Sequence, residues 1–218
     1  MLSQNFLQER MDMVARQLHR RGIVDARVLA AFEAVPRHWF VPESFRDQAY
    51  EDCPLPIGHG QTISQPFIVA YMLQMLDLNG TERVLEVGTG SGYAAALLAR
   101  LVREVHTVEL ESVLAERARG VLATFEAGNV FVHTGDGSLG WAESAPYEAI
   151  LVSAAAADVP QPLLGQLTDP GRMILPVGGR GVQHLELWRR SAGAFACETL
   201  LPVAFVPLRG QAGNQGAI

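Results

Sequence analysis

Glu86-Val87-Gly88-Thr89-Gly90-Ser91-Gly92 places three glycines, two residues apart, behind an acidic residue. Before it, Val84–Val87 has the composition of a short apolar strand; after it, Tyr93–Val102 has that of a helix. Glycines let a chain turn sharply and let a ligand approach where a Cβ would otherwise stand. A bend between strand and helix lies at the carboxyl end of a parallel sheet, where such sheets bind nucleotides. Three phosphate-binding loops fail on spacing. A dinucleotide fingerprint needs glycine at Tyr93, a P-loop needs a closing Gly-Lys-Ser/Thr, and a kinase loop has the wrong spacing and no companion motifs here. What remains is an acidic residue followed by glycine at every second position.

After the bend, strands and helices alternate. Val105–Val108, Val130–His133 and Ala149–Ser153 read as strands, with helices over Glu111–Glu126 and near Pro160–Leu167. Met173–Val177, Gln183–Arg189 and Leu200–Pro207 read as closing strands. The pattern predicts an α/β fold, a doubly wound and mostly parallel Rossmann-like sheet with helices on both faces. Upstream, Ser3–Arg21 is spaced as a helix stopped by Gly22, and Asp25 caps a second helix through Ala34. Pro36–Gln65 has no regular period and reads as ordered loop, and a helix follows Pro66 to about Leu78. One domain over residues 1–218 is expected. It divides into an N-terminal extension on the substrate side (1–80), the cofactor-binding core (81–209) and a tail (210–218), with Gly210–Ile218 frayed.

Composition narrows the function. Of 218 residues 49% are apolar and 18% charged, an ordinary globular balance. The net charge of −6 carries no Lys/Arg cluster, which argues against a nucleic-acid partner. Met1–Arg21 lacks the apolar core of a signal peptide, and the uncharged run Ala149–Ala157 is too short to span a bilayer of about 30 Å. A cytoplasmic monomer with no membrane association is expected. Cys53 and Cys197 make no disulfide framework and read as small packed residues.

The acidic residue and triple-glycine bend resemble the S-adenosylmethionine loop of class I methyltransferases. That cofactor has no phosphates, but it carries a sulfonium, an ammonium and a carboxylate, so an acidic Glu86 beside the loop makes electrostatic sense. Glu109 ends the next strand, where a carboxylate can accept both ribose hydroxyls. Asp136, in Gly135-Asp136-Gly137 after the third strand, is placed to accept from the adenine amino group. Gly-Asp-Gly by itself is a common turn and Glu109 by itself a common strand end; their order along successive strand ends is the stronger signal. The expected cofactor set is Glu86, Gly88, Thr89, Gly90, Ser91, Gly92, Glu109, Asp136 and Gly137.

The bend is silent on the methyl acceptor. Val35–Pro42, Ala49–Asp52, Leu55–Gly58 and, most specifically, Gly60-Gln61-Thr62-Ile63-Ser64-Gln65-Pro66 resemble the protein-L-isoaspartate O-methyltransferase family in order and spacing. The likeness continues through Val84–Leu101, Gly135–Gly137, Ala145–Tyr147, Val152–Ala155, Gly171–Gly178 and Phe205–Leu208, so it spans roughly residues 10–209. It implies methyl transfer from S-adenosylmethionine to the free α-carboxylate of L-isoaspartyl residues in damaged proteins, followed by collapse of the ester to succinimide. It also implies Ser64 at the active site, with Gln61, Thr62 and Ile63 forming the substrate pocket floor. The chain departs from the family in having Ser153 where Thr is common and Asp169-Pro170-Gly171 before Arg172; it also ends in a short tail, so the resemblance gives no role to Arg209 or Gln211.

A carboxylate is ionised at neutral pH, with a pKa of about 4, and needs no general base. The task is in-line alignment and exclusion of water. Ser64 can orient the carboxylate by a hydrogen bond; it is also placed to cap the helix begun at Pro66, and the two roles are compatible. His19, His38, His59, His106, His133 and His184 show no pair at metal-ligand spacing, and no metal is expected; His59 lies nearest the active segment. Trp39, Phe40 and Cys53 read as packing residues. Two other readings stay open: a related carboxyl methyltransferase acting on an Asp of a biosynthetic peptide, and a non-catalytic cofactor-binding module.

Overall fold

The computed structural model describes residues 5–125, 127–179 and 181–213. Helix α1 (Phe6–Met13) opens where the Asn5 side chain accepts from Gln8 N at 3.2 Å. It continues through a π-helical turn (Val14–Leu18) and a 3-10 turn (His19–Arg21) to Gly22, whose φ of +96° stops it. Asp25 Oδ1 accepts from Arg27 N and Val28 N at the head of α2 (Ala26–Ala34). The stretch read as irregular holds a hairpin, β1 (Leu55–Gly58) with β2 (Gln61–Ile63), turned by Gly58, His59 and Gly60, all at positive φ. β1 alternates buried and exposed residues, but over only four positions, too few to stand out in the sequence. Helix α3 (Pro66–Met75) follows and ends slightly before the expected Leu78.

The core then runs β3 (Arg83–Val87), α4 (Tyr93–Ala99), β4 (Glu104–Glu109), α5 (Ser112–Thr124), β5 (Val130–Thr134) and β6 (Tyr147–Val152). It closes with α6 (Gln161–Gly165), β7 (Leu167–Val177), β8 (Gln183–Ser191) and β9 (Ala194–Val203). The sheet order is β5-β4-β3-β6-β7-β8-β9, parallel from β5 through β7 and antiparallel at β8 and β9. Chain order reverses at β3, which has β4 on one side and β6 on the other. That topological switch is where a crevice opens in α/β sheets.

The last strand differs from expectation: it spans Ala194–Val203, not Leu200–Pro207. It pairs with β8 through a tight turn at Ala192 and Gly193, and its first half is exposed on the sheet edge, so no apolar alternation marks it. Pro207 leaves the sheet and bridges to Ala155, with Ala155 N donating to Val206 O (2.8 Å) and Leu208 N to Ala155 O (2.7 Å). Glu126, the expected end of the fifth helix, and the tail beyond Gly213 lie outside the described residues. Gly210–Gly213 is not frayed: Gln211 N donates to Asp136 Oδ2 (2.7 Å) and Ala212 N to Ser138 Oγ (3.0 Å).

Alternation along the strands splits the core in two. Val84, Leu151, Ile174 and Leu187 join one apolar cluster; Leu85, Val87, Ile150, Met173 and Leu175 join the other. The first cluster also contains Met13, Phe32, Ile63 and Leu73, so residues before Gly80 and the sheet share one continuous interior. The hairpin and the head of α3 are thereby fixed beside the carboxyl ends of β3, β4 and β6.

Candidate active site

Asp52 sets the local geometry of the Gln61–Pro66 segment. Its Oδ1 accepts from Phe67 N (3.2 Å), its Oδ2 from Gln65 Nε2 (2.7 Å), and it pairs with Arg21, which stacks 3.6 Å over the Phe67 ring. Asp52 thus satisfies a free N–H at the start of α3, whose N-cap position is Gln65. Ser64 is not that cap. Its hydroxyl finds no hydrogen-bond partner among the described residues. Asp52 was not identifiable as this anchor from sequence, because it acts across a hairpin.

Ser64 stands on a wall shared by two clefts. The inner cleft, about 780 Å³ and partly open to solvent, is bounded by Ser64, the Glu86–Ser91 bend, Glu109, Gly137 and Arg209. The outer cleft, about 910 Å³, runs from Pro54 and Ser64 to Pro202–Val206. Thr62, Ser64, Ser153 and Val206 line both. Gln61 and Ile63 line the inner cleft; Ile63 is buried, and Gln61 Nε2 donates to His59 O at 3.4 Å. Ser153 is held by its backbone, which donates to Val87 O at 2.8 Å, and its Cβ would lie 3.6 Å from a Cβ added at Gly88. Its position at the junction was not anticipated.

The bend is rigidly tied. Gly88, Gly90 and Gly92 have φ of +89°, +53° and +86°, all in the region that favours glycine. Gly88 N donates to Val108 O (2.9 Å), Gly92 N to Thr89 O (2.8 Å) and Gly90 N to Glu109 Oε2 (2.8 Å). Glu109 Oε1 accepts from Glu111 N at 3.0 Å, so this carboxylate braces the bend while each oxygen keeps a second lone pair. Glu86 is fully buried; Oε2 accepts from Thr107 Oγ1 at 2.6 Å and Oε1 has no partner. Burial pushes its carboxyl up to about 8, against the pull of the Thr107 hydroxyl, and nearby Glu109 adds to the rise.

Asp136 does not line the inner cleft, and both of its carboxylate oxygens have protein partners. Oδ1 accepts from Ser138 N (3.0 Å) and Ser138 Oγ (2.6 Å), and Oδ2 from Gln211 N (2.7 Å). A Cβ on Gly210 would lie 2.0 Å from Oδ1, so the tail sits on the carboxylate. Gly137 alone of the Gly135–Gly137 turn lines the inner cleft, and a Cβ there would meet Val87 Cγ1 at 2.8 Å. Arg209, given no role from sequence, also lines the cleft and reaches Glu111 Oε1 at 2.8 Å, while Glu111 Oε2 lies 4.0 Å from His59 Nδ1.

Three other readings change. His106 and His133, on neighbouring strands, contact at 2.9 Å and stack, a pairing that sequence spacing hides. Among the described residues no group of three or more His, Cys, Asp or Glu could hold a metal ion. Trp39 is exposed and lines an apolar groove with Leu114 and Arg117, whereas Phe40 is buried. Cys197 is exposed on β9, while Cys53 is partly buried; burial raises both thiols, Cys197 to about 11.

A parallel sheet reversing order at β3, with a glycine bend and acidic strand ends at that crevice, defines a class I methyltransferase fold. The family model for protein-L-isoaspartate(D-aspartate) O-methyltransferase matches residues 8–213, and the chain belongs to this family. A similar protein is protein-L-isoaspartate O-methyltransferase 1 of Rhodopseudomonas palustris (strain HaA2), 53% identical over 96% of this chain and 86% of its own length. The enzyme of Myxococcus xanthus (strain DK1622) is 54% identical over 93% of this chain and 97% of its own. A solved protein-L-isoaspartate O-methyltransferase superposes with a TM-score of 0.85 at 28% identity, covering 93% of this chain and 66% of that one. A Plasmodium falciparum protein assigned to the same enzyme, solved with S-adenosyl-L-homocysteine, shares the fold at a TM-score of 0.81 and 24% identity, over 92% of this chain and 98% of that one.

Proposed function

We propose that the chain transfers a methyl group from S-adenosylmethionine to the free α-carboxylate of L-isoaspartyl residues in damaged proteins, starting their repair through succinimide. The observation that carries this reading is the Ser64 hydroxyl, without a partner among the described residues, on the wall between two clefts. One cleft suits the donor and the other an extended peptide. Family membership and relatives of this name supply the acceptor.

The inner cleft fits the donor. Glu86 Oε1 is buried and unpartnered, and a buried acceptor without a donor is costly unless a ligand satisfies or neutralises it. Glu109 keeps lone pairs for hydroxyl donors, and Gly88, Gly90 and Gly137 leave space that side chains would take. Bound there, the cofactor supplies a methyl on a cationic sulfur. Glu86 and Glu109 hold the positive and hydroxyl-bearing parts, with Thr89, Ser91 and Gly92 shaping the bend. Ser64 donates to the incoming carboxylate and aims it, Thr62 and Gln61 border its path, and Ile63 packs the floor. The carboxylate arrives ionised, so no side chain need remove a proton. Asp136 holds the tail through Gln211 N, and its Oδ2 keeps a second lone pair that could accept from an adenine amino group.

We infer a cytoplasmic monomer acting on proteins and not on nucleic acid. The net charge of −6 supports a protein over a nucleic-acid partner; no helix among the described residues is long and apolar enough to cross a membrane. The deciding experiment is transfer of labelled methyl to an isoaspartyl peptide and its aspartyl isomer. Labelling of the isoaspartyl peptide alone, released by mild base, is expected. Labelling of both peptides would indicate another carboxyl acceptor, and donor binding without transfer to either would indicate a non-catalytic module.

A further inference from the structure

Thr107 lies on β4 opposite Glu86 in the parallel register and is fully buried. Its Oγ1 donates to Glu86 Oε2 at 2.6 Å and lies 2.6 Å from Thr89 Oγ1 on the glycine bend. A hydroxyl has one proton to give. Thr107 gives its proton to Glu86, so Thr89 must donate to Thr107. The chain therefore runs one way, from the bend through Thr107 to the carboxylate. That direction holds with the carboxyl ionised; in a neutral Glu86 it holds with the proton on Oε1, the atom with no protein partner, whereas a proton on Oε2 would donate to Thr107 and reverse the chain.

We propose that Thr107 is a positioning residue for the donor site: with Thr89 it forms a hydroxyl relay that orients Glu86, so that binding of the cationic donor is coupled to loss of a proton from Glu86 Oε1. The proposal rests on the cofactor reading of the inner cleft. The charged group facing Glu86 from β4 is Glu109, which favours the neutral acid. Leu151 pairs with Glu86 from β6 and brings no charge; Tyr93 of α4 and Arg209 of the tail line the same cleft. Without ligand, burial holds the Glu86 carboxyl up at about 8. A cation on the bend opposes that rise, because it favours the ionised form. The proton leaves Oε1 for the buffer as the cation enters. Binding therefore releases protons below about pH 8, and affinity rises with pH up to that point and then levels off.

The test is calorimetry of S-adenosyl-L-homocysteine binding, whose ammonium is the cation, in two buffers of different ionisation heat across about pH 6 to 8. The unmodified protein is expected to release a proton fraction that shrinks toward the top of this range. Thr107→Val should bind about tenfold more weakly near neutrality, the worth of one hydrogen bond to a charged group. Its proton release should extend to higher pH, because the carboxyl has lost the donor that lowers it. Thr107→Ser should restore both. Unchanged affinity in Thr107→Val overturns the proposal, and so does a loss equal at every pH with unaltered proton release, which would mean a structural role alone. Should Thr107→Val fail to fold by circular dichroism, Glu86→Gln decides: it should bind with no linked proton, and persistent release would overturn the relay. Absence of any binding by the unmodified protein would instead sink the cofactor reading beneath it.

Discussion

Replacing Glu109 by Gln keeps its shape and removes its charge, and the structure says what that does. Both carboxylate oxygens accept backbone N–H groups, Gly90 at 2.8 Å and Glu111 at 3.0 Å, and the side chain is only 6% exposed. A glutamine offers one oxygen. Whichever N–H it keeps, the other faces an amide that can only donate, and stays orphaned in a buried place. Such an unmet group costs about 1–3 kcal/mol. For a chain of this size that lowers the melting temperature by roughly 2–12 °C. Cofactor binding should weaken by a similar free energy, about 5- to 150-fold, because a single carbonyl serves both the bend and the ligand hydroxyls. Calorimetry with S-adenosyl-L-homocysteine and a thermal melt of the ligand-free protein measure the two effects separately. A lower melting temperature with unchanged affinity would refute the binding role and leave Glu109 as a brace alone. No change in either would refute the bracing argument as well.

Ser64→Ala should reduce kcat on an isoaspartyl peptide by about 10- to 150-fold, the worth of one hydrogen bond to a charged group, while leaving S-adenosyl-L-homocysteine affinity within about twofold; an equal loss in both measurements contradicts the substrate role. Asp52→Ala removes the acceptor for Phe67 N at the head of α3 and should cost about 1–2 kcal/mol in urea unfolding, a typical capping loss. Gly90→Val places a branched side chain at φ +53° with its Cβ 3.4 Å from Ile57 Cδ1, and should abolish cofactor binding; full affinity by calorimetry would undo the bend assignment. Glu86 has its folded pKa raised from 4.5 to about 8, so its contribution to the ligand-free protein is full below about pH 4.5 and fades as pH rises toward 8. Glu86→Gln should flatten the pH dependence of urea stability in that window; an unaltered slope would show that Glu86 is not the group responsible.

What the sequence disclosed follows from how far each signal reaches. The bend, Glu86 and Glu109 were legible because glycine spacing and strand ends are local, and the structure draws them together at one crevice. Asp25 declared the start of α2 because a cap acts within three residues. Asp52 did the same work for α3 across a hairpin, and no local pattern shows that. Ser64 in that neighbourhood looked like the cap because it has the right chemistry near a helix beginning with Pro66; the role was already filled from elsewhere, which leaves its hydroxyl free for a ligand. β9 escaped notice because an exposed edge has no apolar period to read. The His106–His133 contact escaped because only the register of β4 against β5 creates it.

Asp136 shows how these long-range facts bear on function. The Gly-Asp-Gly turn was legible, but the partner of its carboxylate was not: Gln211 lies in a tail with no pattern of its own. The same tail carries Arg209 to Glu111, beside Glu109, and returns through Leu208 to Ala155 at the end of β6. One short segment thus touches the ends of three strands that bound the inner cleft. Leu208 and Arg209 of this segment line the inner cleft together with Ser64, and the segment is tied at Asp136, Glu111 and Ala155. Methyl transfer needs enclosure, because water competes for an activated methyl and screens the charges that align it. The tail lines the same cleft as the bend, through position and not through any chemistry its residues announce.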